Sequence, residues 1–162
     1  MNPDYKKKIS AYNDNSVENR KFLRKIKSSK HLNLDKAFHD AHERVFQKID
    51  CLECANCCKT TSPIFRTVDI DRLSLFLKMK TVVFIGQYLY KDEEGDYVLK
   101  TAPCPFLDDD NRCKVYESRP LACKEYPHTN RKKIHQILDL THKNGFICPA
   151  VAEIVHQIKS RG

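Results

Sequence analysis

The chain has 162 residues, a length that favours one domain with room for a core, and its 41% hydrophobic and 31% charged residues strike a globular balance rather than that of a disordered chain. Its longest unbroken apolar stretch, Val82-Val83-Phe84-Ile85, excludes a membrane-spanning helix, which needs about 20 such residues. Lysine plus arginine exceed aspartate plus glutamate by eight, and the four glycines, Gly86, Gly95, Gly145 and Gly162, are too scattered for a dinucleotide-binding loop or a P-loop.

The basic excess is dense near the N-terminus, where residues 1–30 hold nine basic and three acidic residues and no cysteine. It reads as a solvated face, with an acidic protein or nucleic acid as the partner it would suit. Polar sequence follows Met1 where a secretory signal would carry an apolar segment, so a cytoplasmic protein is expected. In that compartment thiols are kept reduced, and eight cysteines point to metal binding before disulfides.

Along the chain, Val17, Leu23 and Ile26 fall at helical spacing and predict a helix over 17–28, capped by Asn15 or Ser16. Leu34, Phe38, Ala41, Val45 and Ile49 form a cleaner stripe, predicting a second helix over 33–50 that delivers the chain to Cys51. Residues 1–50 are therefore expected as a basic N-terminal helical arm, and residues 51–162 as the cysteine-bearing domain. His31, His39 and His42 lack a His or Cys partner at ligand spacing within that helix and read as ordinary surface or partly buried histidines.

Thr67 is expected to cap a helix over 68–78, and residues 82–90 are ambiguous by periodicity. Residues 89–91 and 97–100 predict a hairpin around Gly95. A second tight turn at Asp108-Asp109-Asp110-Asn111 would bring Cys104 and Cys113 face to face; it lacks the later glycine and glutamate of a calcium loop. Ser118 is read as capping a short helix with Pro120 in its first turn and Cys123 one turn in. A helix over 131–143 should end at Asn144-Gly145, and Pro149 should open the last helix.

The strongest signal is Cys51-Leu52-Glu53-Cys54-Ala55-Asn56-Cys57-Cys58, followed by Cys104, Cys113, Cys123 and Cys148. A C-x-x-C turn aims two thiolates at one metal, and a second pair normally closes the site. Adjacent Cys57 and Cys58 point in different directions, so two centres, or one centre and a reactive thiol, follow. The run Cys51-x-x-Cys54-x-x-Cys57 has the spacing of bacterial [4Fe–4S] ferredoxins, whose remaining ligand precedes proline, and Cys104-Pro105 and Cys148-Pro149 offer that ligand. Zinc takes four thiolates at the same spacing and remains the alternative. The grouping that uses all eight thiols sets Cys51, Cys54, Cys57 and Cys148 against Cys58, Cys104, Cys113 and Cys123. Arg119 is expected to donate to a thiolate or a nearby carbonyl, while His128, Glu53 and Glu125 are not expected to ligate.

Cys51, Cys54, Cys57 and Cys58, Cys104-Pro105-Phe106-Leu107, Arg112-Cys113-Lys114-Val115-Tyr116, Arg119-Pro120-Leu121-Ala122-Cys123 and Tyr126-Pro127 together resemble the YkgJ-type cysteine-cluster family, the CxxCxxCC zinc- or iron-chelating domain. The resemblance covers residues 51–127 directly, and Cys148-Pro149 fits the family's closing Cys-Pro. It implies a short helix for residues 82–90 and a chelating role for the cysteines. Flagellin lysine methylases carry a similar cluster but are considerably longer. The expected fold is a mainly helical α+β chain, with a cysteine-rich, metal-organised core and hairpins flanked by helices. The expected function is a cytoplasmic metal-binding protein, its centre an iron–sulfur cluster in a structural or electron-transfer role. The alternatives are a zinc-stabilised module for an acidic partner or nucleic acid, and a metal-dependent redox or modification enzyme, methylase-like, with substrate near Tyr126 and the basic arm.

Overall fold

Asn2 and Pro3 start the first helix, α1 (Pro3–Asp14): the Asn2 side chain accepts the Asp4 N–H at 2.9 Å, and Pro3 occupies a position where a missing N–H costs nothing. The computed structural model describes residues 1–29 and 33–161; Lys30, of the basic arm, and His31, of the histidines considered above, lie outside the described residues. The polar sequence of α1 predicts no helix on its own. Its only buried side chains, Tyr5 and Tyr12, lie two turns apart on one face.

The chain divides into two compact units, one of residues 1–54 with 127–162 and the other of residues 55–126. In the first, α2 (Ser16–Lys27) and α3 (Leu34–Phe46) follow α1, and the short turn of helix α4 (Cys51–Cys54) ends the segment. Asn33 caps α3 by accepting the Lys36 N–H, and the helix, expected over 33–50, stops at Phe46. In the returning segment, a 3-10 turn (Ile134–Ile137) precedes α9 (Leu138–Gly145), and α10 (Pro149–Arg161) closes the unit. The helix read over 131–143 thus begins late. The cause is Asp35 on α3, whose carboxylate accepts the N–H groups of Lys133 and Ile134 at 2.7 and 2.9 Å and holds Lys133 in a left-handed conformation.

α10 lies against α1, α3 and α9, and buries Val151, Ile154 and Val155, while α3 buries Phe38, Ala41 and Val45. The Tyr12 ring rests so close to Gly145 that a Cβ there would stand 2.3 Å from it, which requires glycine at the end of α9. His39 and His42 pair with Asn130 and Thr129. His39 is exposed and His42 half-buried, in keeping with the reading of these histidines as ordinary surface or partly buried ones.

In the second unit, α5 (Asn56–Thr60) leads to α6 (Thr67–Phe76), α7 (Thr81–Tyr88) and a two-stranded antiparallel sheet of β1 (Leu89–Lys91) and β2 (Tyr97–Leu99). Leu89 faces Leu99 across the hairpin; Asp92 accepts from Glu94 and Asp96 in the turn, and Gly95 takes the positive φ. Residues 82–90 are helical as the resemblance implied, up to Tyr88. Phe65, Ile70, Leu73, Phe84, Leu89, Leu99, Phe106 and Val115 form the core, with the Phe84 and Phe106 rings stacked at 6.2 Å. The short helix α8 (Leu121–Glu125) completes the unit. Its start is a correction to the sequence reading, because Ser118 ends a separate 3-10 turn, Tyr116–Ser118, instead of capping the helix.

The fold is therefore mainly helical α+β. No helix among the described residues is long and apolar enough to cross a membrane.

Candidate metal centre

None of the eight cysteines is in a disulfide: Cys54 and Cys148 are buried, Cys51 is exposed, and the others are half-buried. They fall into groups that follow the two units.

In the second unit, Ala55 turns the chain through a left-handed conformation into α5, which carries Cys57 and Cys58 with their sulfurs 3.9 Å apart. The Cys104 N–H donates to the Cys58 carbonyl at 2.8 Å, fastening the later segment to the cysteine run. The turn at 108–111 forms as expected, with Asn111 at positive φ and the Asp108 N–H donating to the Arg112 carbonyl. It pairs Cys113 with Leu107 as an antiparallel bridge, and so holds Cys113 near Cys104. Cys123 sits in α8. Burial first, and then the charges of Cys58 and Cys113, push the Cys104 thiol up to about 11 and the Cys123 thiol up to about 12. Cys113 is also raised, by burial first and then by Cys58. Cys58, Cys104, Cys113 and Cys123 are thus close enough for each ionisation to oppose the next.

Cys58 moves the other way. Its hydrogen bond with Cys57 draws it down, against burial, and the charges of Arg119 and Lys59 add to the effect. Arg119 also favours the ionised forms of Cys113 and Cys123, while its Nε donates to the Tyr116 carbonyl at 2.8 Å and its guanidinium stacks on the Tyr116 ring. Of the two roles expected for Arg119, the donor goes to a carbonyl and the charge acts on the thiols.

In the first unit, Cys148 precedes Pro149 at the start of α10. Burial, helped by the charges of Cys51 and Cys54, raises its thiol to about 12 against the backbone N–H groups of Val151 and Ala150, which favour the thiolate. Cys51, Cys54 and Cys148 therefore form a second neighbourhood of sulfur. The two Cys-Pro sequences act alike, since Cys104 likewise accepts from the N–H groups of Phe106 and Leu107. Proline at the next position brings no N–H of its own and fixes φ, so the following two amides turn toward the sulfur and stabilise a thiolate there.

The run Cys51–Cys54 is supported from α1. The Tyr5 hydroxyl accepts the Asp50 N–H at 3.0 Å and donates to Glu53 at 3.1 Å, so Glu53, read as solvated, has a specific partner. Residues 1–30 carry no cysteine, and sequence alone makes them dispensable for holding metal; this contact gives them a part in supporting the site. Tyr5→Phe is expected to cost about 1 kcal/mol by leaving the Asp50 N–H unpaired, and to lower metal retention by Cys51 and Cys54. Thermal melting and elemental analysis of the variant check it.

A carboxylate that sequence reasoning missed organises the second unit. Asp69, fully buried, accepts from Arg66 Nε at 2.9 Å, Arg72 Nη2 at 2.6 Å and the backbone N–H groups of Arg66 and Leu121 at 3.2 Å. Its spacing, Arg66-x-x-Asp69-x-x-Arg72, was the available signal. Burial opposes the charge, but these donors outweigh it and hold Asp69 well below the usual carboxylate range. Because the folded-state value is depressed, its stabilisation is complete above the ordinary carboxylate pKa of about 4 and is lost as pH falls below it. The wild type should lose melting temperature more steeply than Asp69→Asn between pH 5 and 3. At pH 7 Asp69→Asn should already be less stable by about 2 kcal/mol, less than for a fully buried pair because Arg66 and Arg72 are half-exposed. Parallel slopes would remove the assignment.

The residues fit a thiophilic metal by the chemistry of their donors: clustered sulfurs resist joint ionisation, and a bound cation reverses that resistance. Among the described residues no three His, Cys, Asp or Glu side chains already converge as ligands of one ion, so side-chain rotations are needed to close either group on a metal. His128 stands at positive φ beside Pro127.

A family model described as "CxxCxxCC: Putative zinc- or iron-chelating domain" matches residues 50–143. No curated protein and no solved structure matches the chain.

Proposed function

The chain belongs to the CxxCxxCC zinc- or iron-chelating domain family, and from that premise we propose a cytoplasmic metal-binding protein whose cysteine-ligated centre is an iron–sulfur cluster in a structural or electron-transfer role. The observation that carries the reading is the gathering of Cys58, Cys104, Cys113 and Cys123 in one unit, with backbone N–H groups aimed at Cys104. Amide-to-sulfur hydrogen bonds stabilise thiolate ligands and tune cluster potentials. Iron is preferred over zinc on the ferredoxin spacing of Cys51, Cys54 and Cys57. In this reading Cys58, Cys104, Cys113 and Cys123 hold one centre, and Cys51, Cys54 and Cys148 contribute to another. The test is metal and acid-labile sulfide analysis of anaerobically prepared protein. Iron with sulfide is expected; stoichiometric zinc without sulfide would replace the cluster with a zinc-stabilised module.

One observation favours a partner-binding role beside chelation. The first unit carries 18 basic and 10 acidic residues, the second 11 of each, so the whole formal excess lies in the first. An acidic protein or nucleic acid would meet that unit, and retention on DNA or RNA falling steeply with salt is the expected sign.

A further inference from the structure

Leu121, the first residue of α8, would begin its helix with an uncapped N–H, because Pro120 before it has no side chain able to accept. Asp69, 52 residues away on α6, supplies the acceptor: its Oδ1 takes the Leu121 N–H at 3.2 Å. The same oxygen takes Arg72 Nη2 at 2.6 Å. That nitrogen also donates to the Arg119 carbonyl at 2.8 Å, while Arg72 Nε reaches the Ser118 carbonyl at 3.3 Å. One carboxylate and one guanidinium therefore grip the strip from Ser118 to Leu121 at three backbone groups. Two residues further on is Cys123, whose own N–H closes onto the Pro120 carbonyl at 3.0 Å.

We propose that Asp69, through Arg72, is a positioning residue for the Cys123 thiol, setting the geometry in which Cys123 joins Cys58, Cys104 and Cys113 around a metal. The inference rests on the chelation reading. It goes beyond it by placing a determinant of the site on α6, in residues that bear no sulfur. A strip of turns has few internal hydrogen bonds to fix it. Arg119 and Pro120 lie between the 3-10 turn and α8, and the contacts of Ser118, Arg119 and Leu121 with α6 tie the start of α8 to that helix. Arg66 completes the arrangement, since its guanidinium pairs with both oxygens of Asp69 and keeps the carboxylate aligned toward Arg72 and Leu121.

The experiment is a double-mutant cycle on the full chain with cobalt(II) as the probe. Affinity is read by chelator competition and ligation by the sulfur-to-cobalt charge-transfer band, for wild type, Asp69→Ala, Cys123→Ser and the double variant. Loss of an outer partner of a metal ligand typically lowers affinity 10–100-fold, so Asp69→Ala should weaken one centre at least about tenfold. If Asp69 acts through Cys123, the double variant should bind no more weakly than Cys123→Ser, since two changes in one chain of action do not add. A general loss of stability would add in full. Asp69→Asn, which keeps an oxygen for the Leu121 N–H but loses the charge that aligns the arginines, should fall between wild type and alanine, and it serves if alanine fails to fold. Unchanged affinity in both Asp69 variants, or a full penalty in the Cys123→Ser background, would overturn the positioning role. A wild-type chain with no charge-transfer band would instead defeat the chelation reading itself.

Discussion

Stripping the metal is expected to abolish cooperative thermal melting of the second unit and to remove much of its tertiary circular dichroism. That unit buries eight large side chains in its core, all from residues 65–115, so the segment carrying Cys123 adds none of them. From Cys104 the chain reaches α8 and Cys123 through turns, a single bridge and one short 3-10 segment, and its backbone-to-backbone hydrogen bonds after Cys104 join near neighbours rather than a helix or a sheet. A structural thiolate site contributes about 10–16 kcal/mol of apparent binding energy, as large as the whole stability of an ordinary domain at about 5–15 kcal/mol. Without the cation, Cys104, Cys113 and Cys123 revert to neutral thiols, as their raised pKa values dictate, and the sulfurs no longer hold the loops together. Circular dichroism and melting with and without chelator, after elemental analysis has verified removal, measure the effect. An unchanged melt in verified metal-free protein would show that the apolar core suffices.

Local patterns made the hairpin, the α10 start at Pro149 and the apolar stripe of α3 readable, because each is dictated by residues within a few positions of one another. The cysteine motif was readable for the same reason, since C-x-x-C spacing and Cys-Pro act over two or three residues. What escaped was set from afar. Ser118 looks like the natural cap for the Cys123 helix, yet the acceptor at Leu121 belongs to Asp69, and the competing Ser118 is spent closing a 3-10 turn. Lys133 and Ile134 sit in a stretch with helical composition, but Asp35 captures both of their N–H groups and delays the helix to Leu138. α1 escaped by a different route. Its sequence is too polar to announce a buried face, and Tyr5 and Tyr12 become buried only because Glu53, Asp50 and His142 offer their hydroxyls partners far along the chain.

Single serine replacements should divide the cysteines into two classes of metal loss. Cys58→Ser, Cys104→Ser, Cys113→Ser and Cys123→Ser are expected to deplete one and the same centre, because the charges of these four thiols act on one another within the second unit. Cys51→Ser, Cys54→Ser and Cys148→Ser should deplete the other, because the charges of Cys51 and Cys54 act on Cys148 within the first. The two Cys-Pro thiols, Cys104 and Cys148, should be the most damaging in their respective classes, since each also accepts two backbone N–H groups that serine's shorter, harder oxygen meets poorly. Cys57→Ser assigns the eighth thiol by the class of loss it reproduces; its sulfur lies 3.9 Å from that of Cys58, but ferredoxin spacing counts it with Cys51 and Cys54. Metal counting and absorption spectra of the eight variants make the measurement, with paired losses marking shared ligands. Loss of the same centre by Cys58→Ser and Cys148→Ser, with Cys113→Ser depleting a different one, would break this partition and leave metal binding itself intact.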